Sequence, residues 1–315
     1  MSESVPTIAV IGAGSIGTAF AIAFARAGLT VRVQDPDEER RAAVPDEIVA
    51  RLEDLTHFDL VQEDAPKIQR RIAFTGVLAE AVAGADYVQE CAPERLDLKR
   101  ELFAELDRLA PPAAVLASSS SAIQPSRFAA DLPGQARCLV AHPGNPPYLL
   151  SVVEIVPAPF TSPETIARAE QVCAQAGLAP IRVRKEVEGF VFNRLQGALL
   201  REAYCLVRDG VASVDDIDRL VREGLGLRWS VIGPFETADL NTRGGIASHA
   251  EKMGPAYARM GAERGQNDAW SPELIESVEQ ERRRHLPLDQ WAERVAWRDC
   301  AIMAMLACRR RYSIP

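Results

Sequence analysis

The stretch from Thr7 to Asp35 constrains the fold more than any other part of the chain, and it reads TIAVIGAGSIGTAFAIAFARAGLTVRVQD. A short apolar run leads into Gly12-Ala-Gly14-Ser-Ile-Gly17, and the apolar period then changes from that of a strand to that of a helix. A second apolar run follows Gly28 and ends at the acid. The pattern predicts strand, glycine turn, helix and strand, which is the βαβ unit that binds dinucleotides.

Each glycine of this turn has its own physical reason. Gly12 permits the tight turn, Gly14 lets the backbone approach a pyrophosphate, and Gly17 lets the helix pack closely on the strand. Backbone amides at the start of the helix, at Ser15 and Ile16, then face the phosphates together with the positive end of the helix dipole. The turn therefore predicts a phosphate cradle.

Asp35 lies eighteen residues after Gly17. At the end of the second strand, an acid accepts hydrogen bonds from the hydroxyls of the adenosine ribose. A 2′-phosphate would meet this carboxylate, and the residue that follows it is not an arginine. The sequence therefore favours NAD over NADP as the cofactor.

Composition excludes several other classes of protein. The chain of 315 residues has 36 Lys and Arg against 44 Asp and Glu, a net charge of −8 that argues against a general nucleic-acid or anionic-membrane role. The uncharged run 4–25 is long enough to span a membrane, but glycines interrupt it and no basic residue precedes it. Six scattered cysteines without a CxxC pair predict reduced thiols in a cytoplasmic protein. Four histidines without ligand spacing predict no metal site.

Strands alternate with helices along the first part of the chain, which predicts a parallel, doubly wound sheet with ligands at the carboxyl ends of its strands. After the first two strands, further strands are predicted at 72–75, 86–90, 115–117, 138–142, 152–156 and 179–183. Segment 36–69 is expected to form a helix or helical hairpin with breaks at Pro45 and Pro66. From Gly189 onward only helical patterns occur, at 190–208, 214–221, 273–284 and 289–309. We therefore expect an NAD-binding Rossmann-type domain at 1–187 and an all-helical substrate and dimerisation domain at 188–315.

One histidine and one acid stand out as candidate catalytic groups. His142 ends a predicted strand on the side where the cofactor is expected, and Glu154 is the single acid in an otherwise apolar run. A histidine can take the proton of a hydroxyl while a carboxylate fixes its tautomer and stabilises its charged form. A histidine at the end of a strand is more often structural, so the residues alone leave both interpretations open.

Longer strings carry a resemblance to a known family. The string SSSSAIQPSRFAADLPGQARCLVAHPGNPPYLLSVVEIVPAPFTSP resembles the 3-hydroxyacyl-CoA dehydrogenase family, particularly its branch comprising L-gulonate 3-dehydrogenase and lambda-crystallin. The likeness covers nearly the whole chain and includes IGAGSIG, ECAPERLDLKRELFAEL, EGFVFNRLQ and LGLRWSVIGPFETADLN. This resemblance implies a two-domain dehydrogenase that uses NAD and is usually a homodimer through its helical domain.

The resemblance also implies roles for particular residues. His142 matches the catalytic histidine and Glu154 its paired acid. The remaining matches are Ser121, Asn145 and Asn193 around the reacting carbonyl and nicotinamide, and Glu94 and Lys99 on the cofactor side. Ser118 is a secondary candidate for contact with a polyhydroxy substrate. Arg228 is a candidate for binding a substrate carboxylate, with an ordinary surface arginine as the alternative.

The reaction that this resemblance implies is the NAD-dependent oxidation of the C3 hydroxyl of a small acid, best represented by L-gulonate to 3-dehydro-L-gulonate. One alternative is an L-3-hydroxyacyl-CoA or short 3-hydroxy acid dehydrogenase, acting on 3-hydroxybutyrate or a carnitine-like compound. Another is a structural protein, like the lens relative, that keeps the fold without catalysis. Neither a nucleic acid nor a membrane is expected as a partner.

Overall fold

The computed structural model of the protein describes residues 5–57, 60–61, 63–264, 272–291, 293–294, 297 and 308. The chain divides into two compact units, Met1–Leu200 and Arg201–Pro315. This division falls inside one helix, Phe192–Arg208. The sequence-based domain boundary near residue 187 lies earlier in the chain and stays a prediction.

The first unit is built on one sheet of eight strands in the order β3-β2-β1-β4-β5-β6-β7-β8. The strands are β1 Thr7–Ile11, β2 Thr30–Gln34, β3 Ile72–Thr75, β4 Tyr87–Glu90, β5 Val115–Ser118, β6 Cys138–Pro143, β7 Val152–Pro157 and β8 Ala179–Arg182. The predicted doubly wound sheet is confirmed, but it is not parallel throughout, because β7 runs antiparallel to β6. Only residues 144–151 connect these two strands, which is too short a segment for the crossover that a parallel pair needs.

Among the described residues, eight α-helices belong to or begin in this unit. They are α1 Ser15–Arg26, α2 Glu38–His57, α3 Ala65–Gln69, α4 Leu78–Val82, α5 Leu96–Leu109, α6 Ser126–Ala129, α7 Pro163–Gln175 and α8 Phe192–Arg208. The predicted break at Pro45 is wrong, because α2 continues through it. Val44, Ile48 and Leu52 are fully buried along one face of α2, and this packing outweighs the local cost of the proline. Pro66 instead lies in the first turn of α3, where its missing amide costs little.

The sheet has a hydrophobic core on each face. In β1, Ile8 and Val10 belong to one cluster of buried side chains, whereas Ala9 and Ile11 belong to the other. Alternate side chains of a strand point to opposite faces, so a strand covered on both sides reads as an unbroken apolar run. This burial explains the apolar sequence that precedes the glycine turn, and it fixes the turn at the carboxyl end of β1.

The second unit contains no strand among its described residues, in agreement with the predicted helical domain. Its helices are α9 Val214–Leu220, α10 Leu227–Trp229, α11 Pro234–Asn241, α12 Gly245–Glu263 and α13 Pro272–His285, with a π-helical turn at Val221–Gly226. Helices α11 and α12 match none of the helical patterns predicted from the sequence. The helix predicted at 289–309 lies mostly outside the described residues. In the described part of the chain, no helix is both long and apolar enough to cross a membrane.

Candidate active site

The glycine turn between β1 and α1 has the shape that its sequence predicts. Gly12 has a φ of +99°, and a Cβ there would lie 2.8 Å from the carbonyl oxygen of Cys91. A Cβ at Gly17 would lie 1.9 Å from the carbonyl oxygen of Gly12, so only glycine permits this approach of helix to strand. At Gly14, by contrast, a Cβ would meet no atom of a described residue within 4 Å. The turn therefore keeps an open space directly in front of its backbone.

That open space lies at the amino end of α1, which begins at Ser15. Within the described structure, no side chain caps this end of the helix. The amides of Ser15 and Ile16 therefore remain available for an anion, and the helix dipole favours negative charge there. These residues fit the pyrophosphate of a dinucleotide.

Asp35 directly follows β2 and is tied to the glycine turn. Its Oδ2 accepts a hydrogen bond of 2.8 Å from the amide of Ala13, and its Oδ1 accepts one of 3.0 Å from the amide of Asp37. A carboxylate oxygen can accept two hydrogen bonds, so this arrangement leaves acceptor capacity for ribose hydroxyls. The carboxylate is thus held where the sequence predicts the adenosine ribose.

Two arginines that are not among the predicted site residues also reach this end of the sheet. Arg40 donates from Nε to the carbonyl oxygen of Ala13 at 2.6 Å, and Arg41 donates from Nη1 to the carbonyl oxygen of Asp35 at 2.7 Å. Neither arginine directly follows Asp35 in the sequence. The first turn of α2 folds back toward the glycine turn, and this brings both guanidinium groups there.

His142 and Glu154 are direct partners in the antiparallel pair β6 and β7. His142 Nδ1 lies 2.8 Å from Glu154 Oε2, and both side chains are buried. The other carboxylate oxygen, Oε1, accepts hydrogen bonds from the amides of Val191 at 2.8 Å and Phe192 at 3.0 Å. The ring of Phe190 packs against the imidazole at a centroid distance of 5.6 Å. The histidine and the acid that the sequence indicates as candidates are therefore in direct, buried contact.

The same contacts decide the ionisation of the acid. Burial by itself would raise the pKa of Glu154, but the hydrogen bonds from His142, Phe192 and Val191 outweigh it, so this pKa lies below its usual value. An ionised Glu154 can only accept a hydrogen bond, so His142 Nδ1 carries the hydrogen. In the neutral imidazole the lone pair is then on Nε2. Nε2 faces away from the acid and is the nitrogen that can act as a base.

The serine-rich loop after β5 is organised by Glu94. Its Oε1 accepts hydrogen bonds from Ser120 Oγ at 2.6 Å and from the amides of Ser121 and Ala122 at 3.1 Å each. Asn193, in the first turn of α8, donates from Nδ2 to the carbonyl oxygen of Ser121 at 2.9 Å. The structure therefore brings together three of the residues that the family resemblance singles out, and the exposed Ser121 hydroxyl is free of these contacts.

Behind this loop lies a buried ion pair. Lys99 and Glu90 are both fully buried, and Lys99 Nζ lies 3.0 and 2.9 Å from the two Glu90 carboxylate oxygens. Ser118 is also fully buried and donates from Oγ to Glu90 Oε2 at 2.5 Å. The predicted substrate contact of Ser118 conflicts with this placement, because its hydroxyl is enclosed and already bonded. Glu90 is not among the residues predicted from the sequence, since its spacing from Lys99 and Ser118 does not indicate that these side chains meet.

Three predicted residues have no contact in the described structure that bears on their predicted ligands. Lys99 is predicted to contact the cofactor, but its ammonium group bonds the buried Glu90 carboxylate. Asn145 is exposed in the loop that follows β6. Arg228 belongs to the second unit, and its buried Nε has no hydrogen-bond partner among the described residues. The ligand contacts predicted for these three residues stay predictions.

Comparisons with known proteins agree with this geometry. Residues 7–187 match the family described as 3-hydroxyacyl-CoA dehydrogenase, NAD binding domain, and residues 189–284 match the C-terminal domain of the same family. A lambda-crystallin homolog from Bos taurus is 39% identical over 305 residues, covering 95% of this chain and 94% of its own. An L-carnitine dehydrogenase from Pseudomonas sp is 40% identical over 253 residues, covering 80% of this chain and 78% of its own.

A solved structure is similar over almost the whole chain. It is an NAD⁺-dependent dismutase, FHMPC 5-dehydrogenase, with a TM-score of 0.72 and 27% sequence identity. The similarity covers 92% of this chain and 97% of that one. The shared architecture thus includes both the sheet with its glycine turn and the helical part.

Proposed function

Because this chain belongs to the 3-hydroxyacyl-CoA dehydrogenase family of NAD-dependent oxidoreductases, we propose that it oxidises a small polyhydroxylated 3-hydroxy acid, L-gulonate, to 3-dehydro-L-gulonate. The observation that carries the reaction is the buried contact of 2.8 Å between His142 Nδ1 and Glu154. The substrate is supported by the resemblance to the L-gulonate 3-dehydrogenase and lambda-crystallin branch.

In the proposed reaction, His142 Nε2 takes the proton of the C3 hydroxyl as the carbon–oxygen bond becomes double. Bound NAD supplies the acceptor for the hydride that leaves the same carbon with its bonding electron pair. Glu154 remains ionised and stabilises the imidazolium that forms. In the reverse direction, the same imidazolium returns the proton to the carbonyl oxygen. Glu154 acts through the histidine and is a positioning residue.

The residues around the serine loop orient the reacting oxygen in this proposal. The Ser121 hydroxyl and the Asn193 amide supply hydrogen-bond donors for the charge that develops on the oxygen. Glu94 holds the loop, and the glycine turn with Asp35 holds the cofactor. The binding of a substrate carboxylate by Arg228 is supported only by the resemblance to the L-gulonate 3-dehydrogenase branch.

One observation weighs against a CoA thioester as the substrate. Two basic residues of segment 36–71, Lys67 and Arg71, are already paired with an acid. Lys67 Nζ lies 2.5 Å from Glu63, and Arg71 forms an ion pair with the same carboxylate. Hydrogen bonds from Arg71 and Lys67 lower the pKa of Glu63 to about 2, so this acid is ionised at neutral pH. This single carboxylate therefore compensates part of the positive charge of the segment.

A panel of substrates tests the proposed substrate. The assay measures NAD reduction with L-gulonate, L-3-hydroxybutyrate, L-carnitine and L-3-hydroxybutyryl-CoA at equal concentrations, with His142→Gln as the control for contaminating activity. We expect the largest kcat/KM with L-gulonate. A higher kcat/KM with L-carnitine would favour the alternative that the Pseudomonas relative suggests. Binding of NAD without turnover on any compound would favour a structural protein.

We also propose that the enzyme is a cytoplasmic homodimer. Helix α8 carries exposed apolar side chains, including Leu195 at 62% and Tyr204 at 75% exposure. Large apolar side chains repeated along one helix are typical of a surface that another chain covers. The cytoplasmic location rests on the scattered cysteines, which form no CxxC pair.

A further inference from the structure

The two arginines near Asp35 differ in how far their charge is compensated. Arg40 donates from Nη2 to Glu47 Oε2 at 2.8 Å and forms a second bond to the same carboxylate from Nη1. The hydrogen bond to Glu47 raises the pKa of Arg40 above its usual value. With Nε bonded to the carbonyl oxygen of Ala13, the guanidinium of Arg40 is fully engaged. It acts as a brace for the glycine turn.

Arg41 is only partly engaged. Its Nη1 donates to the carbonyl oxygens of Asp35 at 2.7 Å and Pro36 at 2.9 Å. In the described part of the chain, no carboxylate lies within 4.0 Å of its guanidinium, and its Nε and Nη2 have no hydrogen-bond partner. The guanidinium of Arg41 therefore has no carboxylate partner in the described part of the chain and keeps free donors.

The position of Arg41 is fixed against the backbone that carries the ribose-binding acid. A Cβ added at Gly76 would lie 3.0 Å from Arg41 Cζ, so the guanidinium packs on this glycine. The main-chain carbonyl of Asp35 accepts the hydrogen bond from Arg41, while the Asp35 carboxylate accepts one from the amide of Ala13 in the glycine turn. A cation and an anion thus flank the place where the 2′ position of the ribose is expected.

We propose that Arg41 is a latent ligand for a 2′-phosphate and that the Asp35 carboxylate is what keeps the enzyme selective for NAD. With the carboxylate present, a phosphate of NADP meets like charge at close range, and this repulsion offsets the attraction of Arg41. Without the carboxylate, the free donors of Arg41 match the geometry of a phosphate. The nearby Asp37 competes less, since its Oδ1 accepts hydrogen bonds from the amides of Glu39 and Arg40.

The test measures the Kd of NAD⁺ and of NADP⁺ by calorimetry, without any substrate. Asp35→Ser should weaken NAD⁺ binding and strengthen NADP⁺ binding by about tenfold, as expected for one charge-assisted hydrogen bond. Adding Arg41→Gln to this variant should abolish the gain in NADP⁺ affinity. The matched control adds Arg51→Gln instead, which removes one charge from the same helix and should keep the gain.

Two results would overturn the proposal. One is a folded Asp35→Ser variant, verified by its melting curve, that gains no affinity for NADP⁺. The other is a gain in affinity that survives Arg41→Gln. Neither result depends on which hydroxy acid the enzyme oxidises, because only cofactor binding is measured.

Discussion

At the scale of single residues, Glu154 contacts both the catalytic candidate and the start of a helix. One carboxylate oxygen bonds His142, and the other receives the amides of Val191 and Phe192. These donors keep the pKa of the acid below its usual value despite its burial. The histidine is therefore oriented by a group that stays charged across the neutral range.

This arrangement predicts the effect of neutralising the acid. Glu154→Gln should lower kcat by about 10²-fold or more, because the imidazolium loses its stabilising charge. The Kd of NAD should change little. Steady-state kinetics and calorimetry measure both quantities, and Glu170→Gln, at an exposed ion pair with Arg182, is the matched control. An unchanged kcat in the Glu154 variant would contradict the pairing.

The buried pair of Glu90 and Lys99 predicts a coupled effect on stability. Lys99→Met leaves a buried carboxylate without its partner, and we expect a loss of about 3–5 kcal/mol in the free energy of unfolding. The double variant with Glu90→Gln should lose less, since neither charge is then uncompensated. Urea unfolding of the two single variants and the double variant measures this coupling. Additive losses would show that the two side chains do not depend on each other.

At the scale of elements, the serine loop depends on Glu94. Burial by itself would raise the pKa of this acid. The Ser120 hydroxyl, the Ala122 amide, the charge of Lys99 and the Ile123 amide lower it by more, so the pKa of Glu94 in the folded state lies below its usual value. A group with a lowered pKa stabilises the fold above its unfolded pKa, and this contribution disappears as pH falls through the folded value. The loop is therefore more stable at neutral pH than in acid.

The prediction concerns the difference in Tm between the wild type and Glu94→Gln. The variant should melt at a lower temperature at pH 7, and the difference should narrow as pH falls below about 4.5. Melting curves across this pH range measure the difference. A difference that is the same at all pH values would contradict the role of the ionised carboxylate.

Most strands of the first unit could be predicted, because a short apolar run bounded by Gly or Pro favours a strand that is buried on both faces. The antiparallel direction of β7 follows from the short connection 144–151. The continuity of α2 through Pro45, in contrast, could not be predicted, since tertiary packing decides it. The same holds for the site. The spacing of His142 and Glu154 indicates candidates, but the partners of Glu90 and Arg41 depend on how distant segments fold together.

At the scale of the whole molecule, the exposed apolar side chains of α8 predict self-association. Sedimentation equilibrium should give a mass about twice the chain mass of 34.4 kDa. Replacing Leu195 and Tyr204 by Lys should shift the distribution toward the monomer, because two charges would be buried in the interface. Lys substitutions at the exposed Val5 and Val77 provide a control of equal charge. A wild-type mass near that of one chain would contradict the dimer.

The central claim is that His142 is the base of an NAD-dependent dehydrogenase. The most direct measurement compares His142→Gln with the wild type in kcat for the preferred substrate and in Kd for NAD. We predict that kcat falls by about 10³-fold or more while the Kd of NAD stays within about threefold, since the histidine acts on the substrate proton and not on the cofactor phosphates. Turnover near that of the wild type, with the variant folded and NAD bound, would contradict the claim.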